Sequence, residues 1–475
     1  MVMGDMVMTV DLVVIGSGPG GYSAAFRAAD LGLDVALVDP RPRLGGSYLY
    51  DGCIPSKTYL FLTQLLLDTL KAQPMGIHFQ NPKIDLKQIG SWKNQVVENI
   101  ATNLFDLCSQ LGVQLIRGKA FFENSTTVRL KDSEISKLEC KHTIIATGSV
   151  PVLFPGTASS PRSRIMNSTE ALNFTNIPNE LLIIGGGYIG LELGAIFSAL
   201  GCAVHLAEQQ MSILPGMDED LIHPLTKHLD EQFEQILLQT TITKLTENKK
   251  GVQVELKTPH GTESKRYDHV VVAIGNKAHS SELGLENTSV KLDENGFIQT
   301  DSQQRTTDFN IFAVGDVANR SMLTHTAIRE GRVAAEVIVG HPTAFDVRAI
   351  PHIVYTRPEI AWCGLSENEA QIQNIPVTIQ KFPWKYSARA NTIDATDGLT
   401  KIIVSKEDGR ILGAGITGSG AEELISEWVL AIEMGALAED VALCLHGHPT
   451  LSEAGSEAAD TLLGWPTHLP SKSSS

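Results

Sequence analysis

The sequence predicts an α/β protein in which one strand–turn–helix–strand unit occurs twice and a third, α+β domain closes the chain. Three observations carry this. Val10 to Ile15 is apolar but for Asp11, as in a strand buried on both faces, and feeds Gly16-Ser-Gly18-Pro-Gly-Gly21. The arrangement returns about 170 residues later, where Leu181 to Ile184 feeds Gly185-Gly-Gly187-Tyr-Ile-Gly190. From about Ile350 the pattern changes to alternating strands and longer helices, with no glycine-rich turn.

Taken in order, the first glycine turn leads into the helical spacing of Ala24, Ala25 and Ala28, then a strand over Val35 to Val38 that ends at Asp39, 18 residues after Gly21. Glu134 to Thr147 reads as a charged strand edge rising into buried Ile144-Ile-Ala. Pro151 to Pro161, rich in Pro, Gly and Ser, reads as a linker. The second unit continues with a helix from Leu191 to Leu200 and a strand from Val204 to Glu208. After Gly275 the chain is expected to return to the first domain, because Ile311-Phe-Ala-Val-Gly-Asp316 ends another buried strand. The expected division is 1–150 and 279–348 for the first domain, 151–278 for the second, 349–467 for the third, and 468–475 as a flexible tail.

The chain has 475 residues, enough for about three domains with real cores. Hydrophobic residues make up 43% and charged residues 19%, an ordinary globular balance. The 38 basic against 54 acidic side chains leave −16, which opposes nonspecific binding to nucleic acid or anionic membranes. No stretch reaches the roughly 20 apolar residues that cross a bilayer. Met1 to Val10 lacks a basic flank and carries Asp5, so it does not read as a signal peptide. The six cysteines, 53, 108, 140, 202, 363 and 444, are scattered with no CxxC pair. No metal site is expected, and that cysteine usage predicts a reducing, cytoplasmic setting.

The repeated glycines have a chemical reading. In such a unit the first glycine permits a tight turn, the second admits a pyrophosphate to the backbone, and the third lets helix pack on strand. The helix start then offers amide donors and a partial positive charge to phosphates. Each copy here follows a strand, opens a helix and ends at an acid, so both read as Rossmann-like dinucleotide sites. Asp39 and Glu208 are the expected acceptors for ribose hydroxyls. Gln209 and Gln210 follow Glu208 and no arginine stands there to pair with a 2′-phosphate, which favours NAD over NADP.

Between the two sites lies Gly45-Gly-Ser-Tyr-Leu-Tyr-Asp-Gly-Cys53-Ile-Pro-Ser-Lys57. Together with Ala146-Thr147-Gly148-Ser149, Val314-Gly-Asp316 and His448-Pro-Thr-Leu-Ser-Glu453, it resembles the flavin-dependent pyridine nucleotide-disulfide oxidoreductases. Within that family the ending His-Pro-Thr-x-x-Glu and Glu208 are most similar to the dihydrolipoyl dehydrogenases. The resemblance covers nearly the whole chain, with the motifs in family order. It implies FAD in the first unit, NAD(H) in the second and a homodimer formed through the C-terminal domain.

The resemblance also implies roles. Gly16, Gly18 and Gly21 would face the FAD pyrophosphate and Asp39 its adenosine ribose, with the Ala120 backbone near the adenine. Gly46, Thr147, Gly148 and Ser149 would lie along the cofactor, Asp316 would bond its ribityl chain, and Met322, Leu323, Thr324 and His325 would line the flavin edge. Gly185, Gly187, Gly190 and Gly275 would serve NAD(H), and Tyr188 would cover the flavin face until nicotinamide displaces it. Lys57 and Glu192 would pair beside the flavin. His448 would move protons while Glu453 fixes its tautomer, the two coming from the partner subunit of a dimer. His446 is expected to be a structural neighbour.

One departure decides the chemistry. The family has two cysteines five positions apart after the Gly-Gly; here the second is Cys53 and the first is Tyr48. No disulfide can join those positions, so the dithiol/disulfide couple that stores an electron pair is absent there. Cys444, four residues before His448, is the other cysteine near the motif, and a substitute disulfide with it is not expected. The leading expectation is an FAD enzyme that takes hydride from NADH and passes electrons to an acceptor such as a quinone. Two others stand beside it. One is a dihydrolipoyl dehydrogenase-type reaction on lipoamide, or a single-cysteine reaction in which Cys53, among the catalytic candidates Cys53, Lys57, Glu192, His448 and Glu453, reduces peroxide or a small disulfide. The scaffold would otherwise dock on a lipoylated carrier protein with little turnover.

Overall fold

A computed structural model describes residues 6–80, 82–158, 160 and 163–469. The first unit runs β1 (Val7–Ile15), α1 (Pro19–Asp30), β2 (Val35–Asp39), the short α2 (Gly46–Tyr50), α3 (Cys53–Lys71), α4 (Leu86–Gln110), β3 (Gln114–Arg117), β4 (Lys119–Asn124), β5 (Thr127–Lys131) and β6 (Lys137–Ile145). Its sheet has the order β3-β2-β1-β6-β5-β4. The first four of those strands are parallel, and β1 is fully buried from Leu12 to Ile15, which is why it reads as an unbroken apolar run.

Strand β7 (Ser149–Pro151) leaves this unit. The second contains β8 (Ile165–Asn167), α5 (Ser168–Ala171), β9 (Glu180–Ile184), α6 (Tyr188–Ala199), β10 (Ala203–Ala207), α7 (Glu219–Gln232), β11 (Gln235–Leu237), the antiparallel trio β12 (Thr241–Asn248), β13 (Gly251–Thr258) and β14 (Gly261–Tyr267), and β15 (His269–Val272). Its parallel sheet is ordered β11-β10-β9-β15-β8. Strand β16 (Asn276–Ala278) then pairs antiparallel with β7, so exit and return lie side by side. The chain re-enters the first sheet at β17 (Ile311–Ala313), parallel to the end of β6, and α8 (Thr324–Ile338) packs on α1.

The third part holds β18 (His352–Val354), β19 (Ile360–Gly364), α9 (Glu367–Gln373), β20 (Val377–Pro383), α10 (Ala388–Thr392), β21 (Leu399–Ser405), β22 (Ile411–Thr417), α11 (Ala421–Met434), α12 (Ala438–Leu443) and α13 (Glu453–Leu463). Its five strands are antiparallel, in the order β18-β19-β22-β21-β20. Trp384 and Trp428 fill the core between sheet and helices.

Two details differ from the sequence reading. Helix α6 starts at Tyr188 rather than Leu191, because Gly187 supplies the extended N-cap and the exposed Tyr188 breaks no buried stripe. Within the tail expected from 468, His468 bonds Glu457 and Leu469 packs on the third core. The Ser-rich end from Pro470, the start up to Asp5, and Ser159 and Pro161 of the linker lie outside the described residues. No helix among those described is long and apolar enough to cross a membrane.

The second and third parts are locked by a buried lysine. Lys401 of β21 is 1% exposed, with Nζ 2.7 Å from Glu367, 2.8 Å from Asp218 and 3.0 Å from Asp220. Burial works against that charge, but the carboxylates of Asp218, Glu367 and Asp220 together hold the ammonium above its ordinary range. Asp218 also accepts the Glu367 and Asn368 amides, tying the start of α7 to the start of α9. Lys401→Met leaves Asp218 without its cation and leaves Asp220 and Glu367 with Lys381 alone. It is expected to cost about 3–5 kcal/mol, read as a lower midpoint in guanidinium denaturation; an unchanged midpoint would refute the lock.

Candidate functional site

Both glycine turns divide the work in the same way. A Cβ on Gly16 would stand 2.3 Å from the Ala146 carbonyl oxygen, and one on Gly21 would stand 1.7 Å from that of Gly16. In the second unit a Cβ on Gly185 would lie 2.4 Å from the Ala273 oxygen and one on Gly190 2.0 Å from the Gly185 oxygen. These four positions close helix on strand, so Gly16, Gly21, Gly185 and Gly190 have no room for a side chain. Gly18 and Gly187 behave differently: no atom comes nearer than 3.9 Å to a Cβ on the first, and none within 4 Å on the second. They cap α1 and α6, leaving an open cradle of helix-start amides. That is the shape a pyrophosphate fits.

Each cradle ends at a buried acid. Asp39 accepts Ser17 N at 2.7 Å, Ser17 Oγ at 2.8 Å and Arg41 N at 2.8 Å. Glu208 accepts Gly186 N and Gln210 N, both at 2.7 Å. The acids thus hold their own glycine loops in shape as well as presenting a carboxylate at the strand end. Asp39 O accepts Gly118 N at 3.0 Å, placing Ala120 of β4 two residues from that corner. Gly46, with φ +65, approaches so closely that its Cβ would be 2.6 Å from Gly18 Cα.

A second edge is built from the segments after β6 and β17. Thr147 Oγ1 donates to the His279 carbonyl at 2.6 Å, and Ser149 Oγ donates to Asp316 at 2.6 Å. Burial pushes the Asp316 carboxyl up, against the pull of the Ser149 hydrogen bond. Such a partly satisfied buried acceptor suits a hydroxyl-bearing chain. Gly148 and Gly275 both hold positive φ with open space beside them. Met322 takes φ +49, and Leu323, Thr324 and His325 open α8. Burial pulls His325 down from the ordinary imidazole range.

The three parts meet at Cys53. It is the exposed first residue of α3, with Sγ 4.0 Å from Thr324 Oγ1. One turn on, Lys57 Nζ lies 2.7 Å from Glu192 Oε2 and 4.4 Å from the centre of the Tyr355 ring. Glu192 Oε1 accepts Tyr355 N at 3.2 Å. Tyr188, 41% exposed, starts the helix that carries Glu192. Tyr48 sits in α2 with its hydroxyl 3.4 Å from that of Tyr22, and burial pushes its phenol well above the usual range. All six cysteines are free, Cys444 included.

His448 and Glu453 stand together in the third part. His448 Nδ1 is 2.8 Å from Glu453 Oε1, and Thr450 N donates to Oε2 at 2.8 Å. Burial pulls the Glu453 carboxyl up, but the Thr450 amide and His448 outweigh it and hold the group below its ordinary range. A carboxylate at Nδ1 leaves Nε2 as the free ring nitrogen. His446 pairs separately with Glu427 at 2.9 Å. Sequence reasoning missed Tyr355 and Glu330, which accepts Gly315 N at 2.7 Å and so shapes the turn before Asp316. No local pattern marks either one; both act across long separations.

The pyridine nucleotide-disulphide oxidoreductase family profile matches residues 10–331, and the dimerisation-domain profile of that family matches 350–459. A dihydrolipoyl dehydrogenase of Buchnera aphidicola subsp. Schizaphis graminum is 42% identical over 463 residues, 97% of each chain. That of Geobacillus stearothermophilus is 39% identical over 473 residues, 99% of this chain and 100% of the relative. The crystal structure of LpdA from Mycobacterium tuberculosis superposes with a TM-score of 0.88 at 27% identity, covering 95% of this chain and all of that one.

The contrast between open and closed glycines is testable. Gly187→Ala, at an extended backbone position, is expected to leave the melting temperature unchanged while NADH binding weakens by about tenfold or more (~1.4 kcal/mol). Gly190→Ala is expected to lower the melting temperature instead. Equal NADH affinity in Gly187→Ala and the parent, measured by fluorescence titration, would show that the cradle holds something else.

Proposed function

The chain belongs to the pyridine nucleotide-disulphide oxidoreductase family as an FAD- and NAD(H)-dependent enzyme of the dihydrolipoyl dehydrogenase type, and we propose that it reduces a quinone with NADH without using an internal disulfide. The dimerisation domain makes it a homodimer. The observation that carries the proposal is Tyr48, a neutral phenol in the place from which a second thiol would bond Cys53. When bound, FAD supplies the capacity to accept a hydride from NADH and to release both electrons to the acceptor. The overall change is NADH, a proton and quinone to NAD⁺ and hydroquinone.

The chain's own residues do the rest. Gly18 and the start of α1 hold one pyrophosphate, and Gly187 and the start of α6 hold the other. Asp39 and Glu208 orient the ribose diols. Asp316, with Ser149, receives a hydroxyl of the chain joining flavin to phosphate. Lys57 brings one positive charge to the flavin edge, and Glu192 and Tyr355 keep that ammonium from turning to solvent. Tyr188 closes the nicotinamide side until the nucleotide arrives. His448, oriented by Glu453, takes up and returns the proton.

One feature supports a second reading. The Cys53 thiol is exposed at a helix start one turn from Lys57, as a single-cysteine peroxide or disulfide reductase requires. Cys53→Ser separates the two: it would abolish peroxide or disulfide reduction and spare quinone reduction. Docking on a lipoylated carrier has no such feature in its favour.

Anaerobic titration with NADH is expected to reduce the protein with one electron pair per subunit, where a disulfide-containing relative takes two. Quinone turnover is expected to exceed lipoamide turnover by about two orders of magnitude or more; robust lipoamide turnover with none on quinone sinks the proposal. Position 48 lies close against the turn before Cys53, since a Cβ on Gly52 would be 3.5 Å from Tyr48 Cα. Tyr48→Cys is therefore expected to restore a second electron pair in the same titration, together with lipoamide activity.

A further inference from the structure

Helix α13 carries a second imidazole–carboxylate pair. Glu453 and Glu457 are four residues apart and share one helix face. As Glu453 takes His448, so Glu457 Oε1 takes His468 Nδ1 at 2.5 Å, and Glu457 Oε2 accepts His468 N at 3.3 Å. The chain can do this because it reverses at Gly464, with φ +82, where Trp465 N donates to the Asp460 carbonyl at 2.8 Å. His448, Glu453, Glu457 and His468 line one small cavity with Phe382 and Tyr386. Glu457 is 8% exposed, so its charge is poorly screened by water.

We propose that the Glu457–His468 pair is a positioning pair that sets the charge one helical turn from Glu453 and thereby tunes how tightly His448 holds its proton. The proposal rests on His448 being the proton-handling residue described above. An unpaired Glu457 carboxylate repels that of Glu453 and draws a proton towards His448; a protonated His468 cancels that charge. His468 also contributes, after burial, Thr450 and His448 itself, to the balance that keeps Glu453 ionised.

Among the described residues, no other charge on the neighbouring elements replaces this pair. Tyr386 lines the cavity as a phenol, with Lys385 over its ring. Asp460, on α13, is pushed up by burial and by Glu457, with His446 opposing. On the strands beneath, Lys381 turns to Asp220, and Lys401 to Asp218, Asp220 and Glu367. In α12, Asp440 accepts Leu437 N and Glu439 is exposed.

The test is the titration of His448 by NMR in the FAD-loaded homodimer carrying ¹³C-labelled histidine, with His448→Asn to assign the signal. Glu457→Gln removes a negative charge and is expected to lower the His448 midpoint by about 0.5 pH unit; His468→Gln takes from Glu457 its hydrogen-bonded imidazole and is expected to raise it by a similar amount. Opposite shifts support the proposal, because a merely structural disturbance would not reverse sign with the group removed. No shift, or shifts of one sign, overturns it. Should Glu457→Gln fail to fold, the sign of the His468→Gln shift decides alone, a rise supporting and anything else refuting. The measurement uses no electron acceptor, so a protein that turned over lipoamide and not quinone would refute the proposed reaction and leave this result standing.

Discussion

The Lys57–Glu192 ion pair is the joint on which the arrangement of the three parts depends. Lys57 comes from the first unit, Glu192 from the second, and the Tyr355 ring and amide that flank them from the third. Glu192 is only 4% exposed in its side chain, so leaving it without a cation would strand a buried charge, at a cost of several kcal/mol. The pair is therefore stable only when all three parts are seated. Because Cys53 opens the helix that carries Lys57, seating those parts also fixes the thiol, which reaches the α8 start at Thr324. One interaction sets both the architecture and the electrostatics of the candidate centre.

The acids at the strand ends work in a related way. Asp39 and Glu208 each bind an amide of the glycine turn on one carboxylate oxygen and a following amide on the other. A carboxylate already held by backbone donors needs little reorganisation when a diol arrives. The turn it holds is the same turn that presents helix-start amides to phosphate. The Lys401 cluster does comparable work farther off: it joins α7 of the second unit to the third part, so the second cradle cannot drift from the ion pair.

Much of this was legible in the sequence because it is written in local spacing. Two glycine turns, each after an apolar run and before an acid, gave both parallel units and their cradles. The Cys53-to-Lys57 spacing placed both side chains on one helix start, and the His448–Glu453 pair was implied by the resemblance of His448-Pro-Thr-Leu-Ser-Glu453 to the family's ending. What spacing could not give is contact between distant segments. Tyr355 meets Lys57, Lys401 meets Asp218, and Glu330 meets the turn before Asp316 only after the sheets have formed. His468 was hidden for another reason: a polar tail reads as solvated until the reversal at Gly464 brings it back to Glu457. The start of α6 was missed because periodicity counts buried apolar residues, and the exposed Tyr188 stands outside the buried stripe.

Tyr48 shows why a motif can outlast half of its chemistry. Gly45 at φ +125 has no room for a Cβ beside Leu49, and Gly46 brings α2 against Gly18 in the nucleotide cradle. Both glycines thus serve the close packing of α2 whether or not a sulfur follows. Gly52 and Cys53 begin the helix that delivers Lys57, again without reference to position 48. Tyr48 and Ile54 pack on the cluster of Leu49, Val97 and Ala101, so the larger side chain is accommodated by packing rather than by any change in those turns. Its buried phenol stays neutral and has no two-electron exchange with a thiol to offer. Substituting at this position therefore removes a redox step while leaving the packing of both glycine turns and the Lys57–Glu192 joint, and the proposed use of a different acceptor rests on that separation.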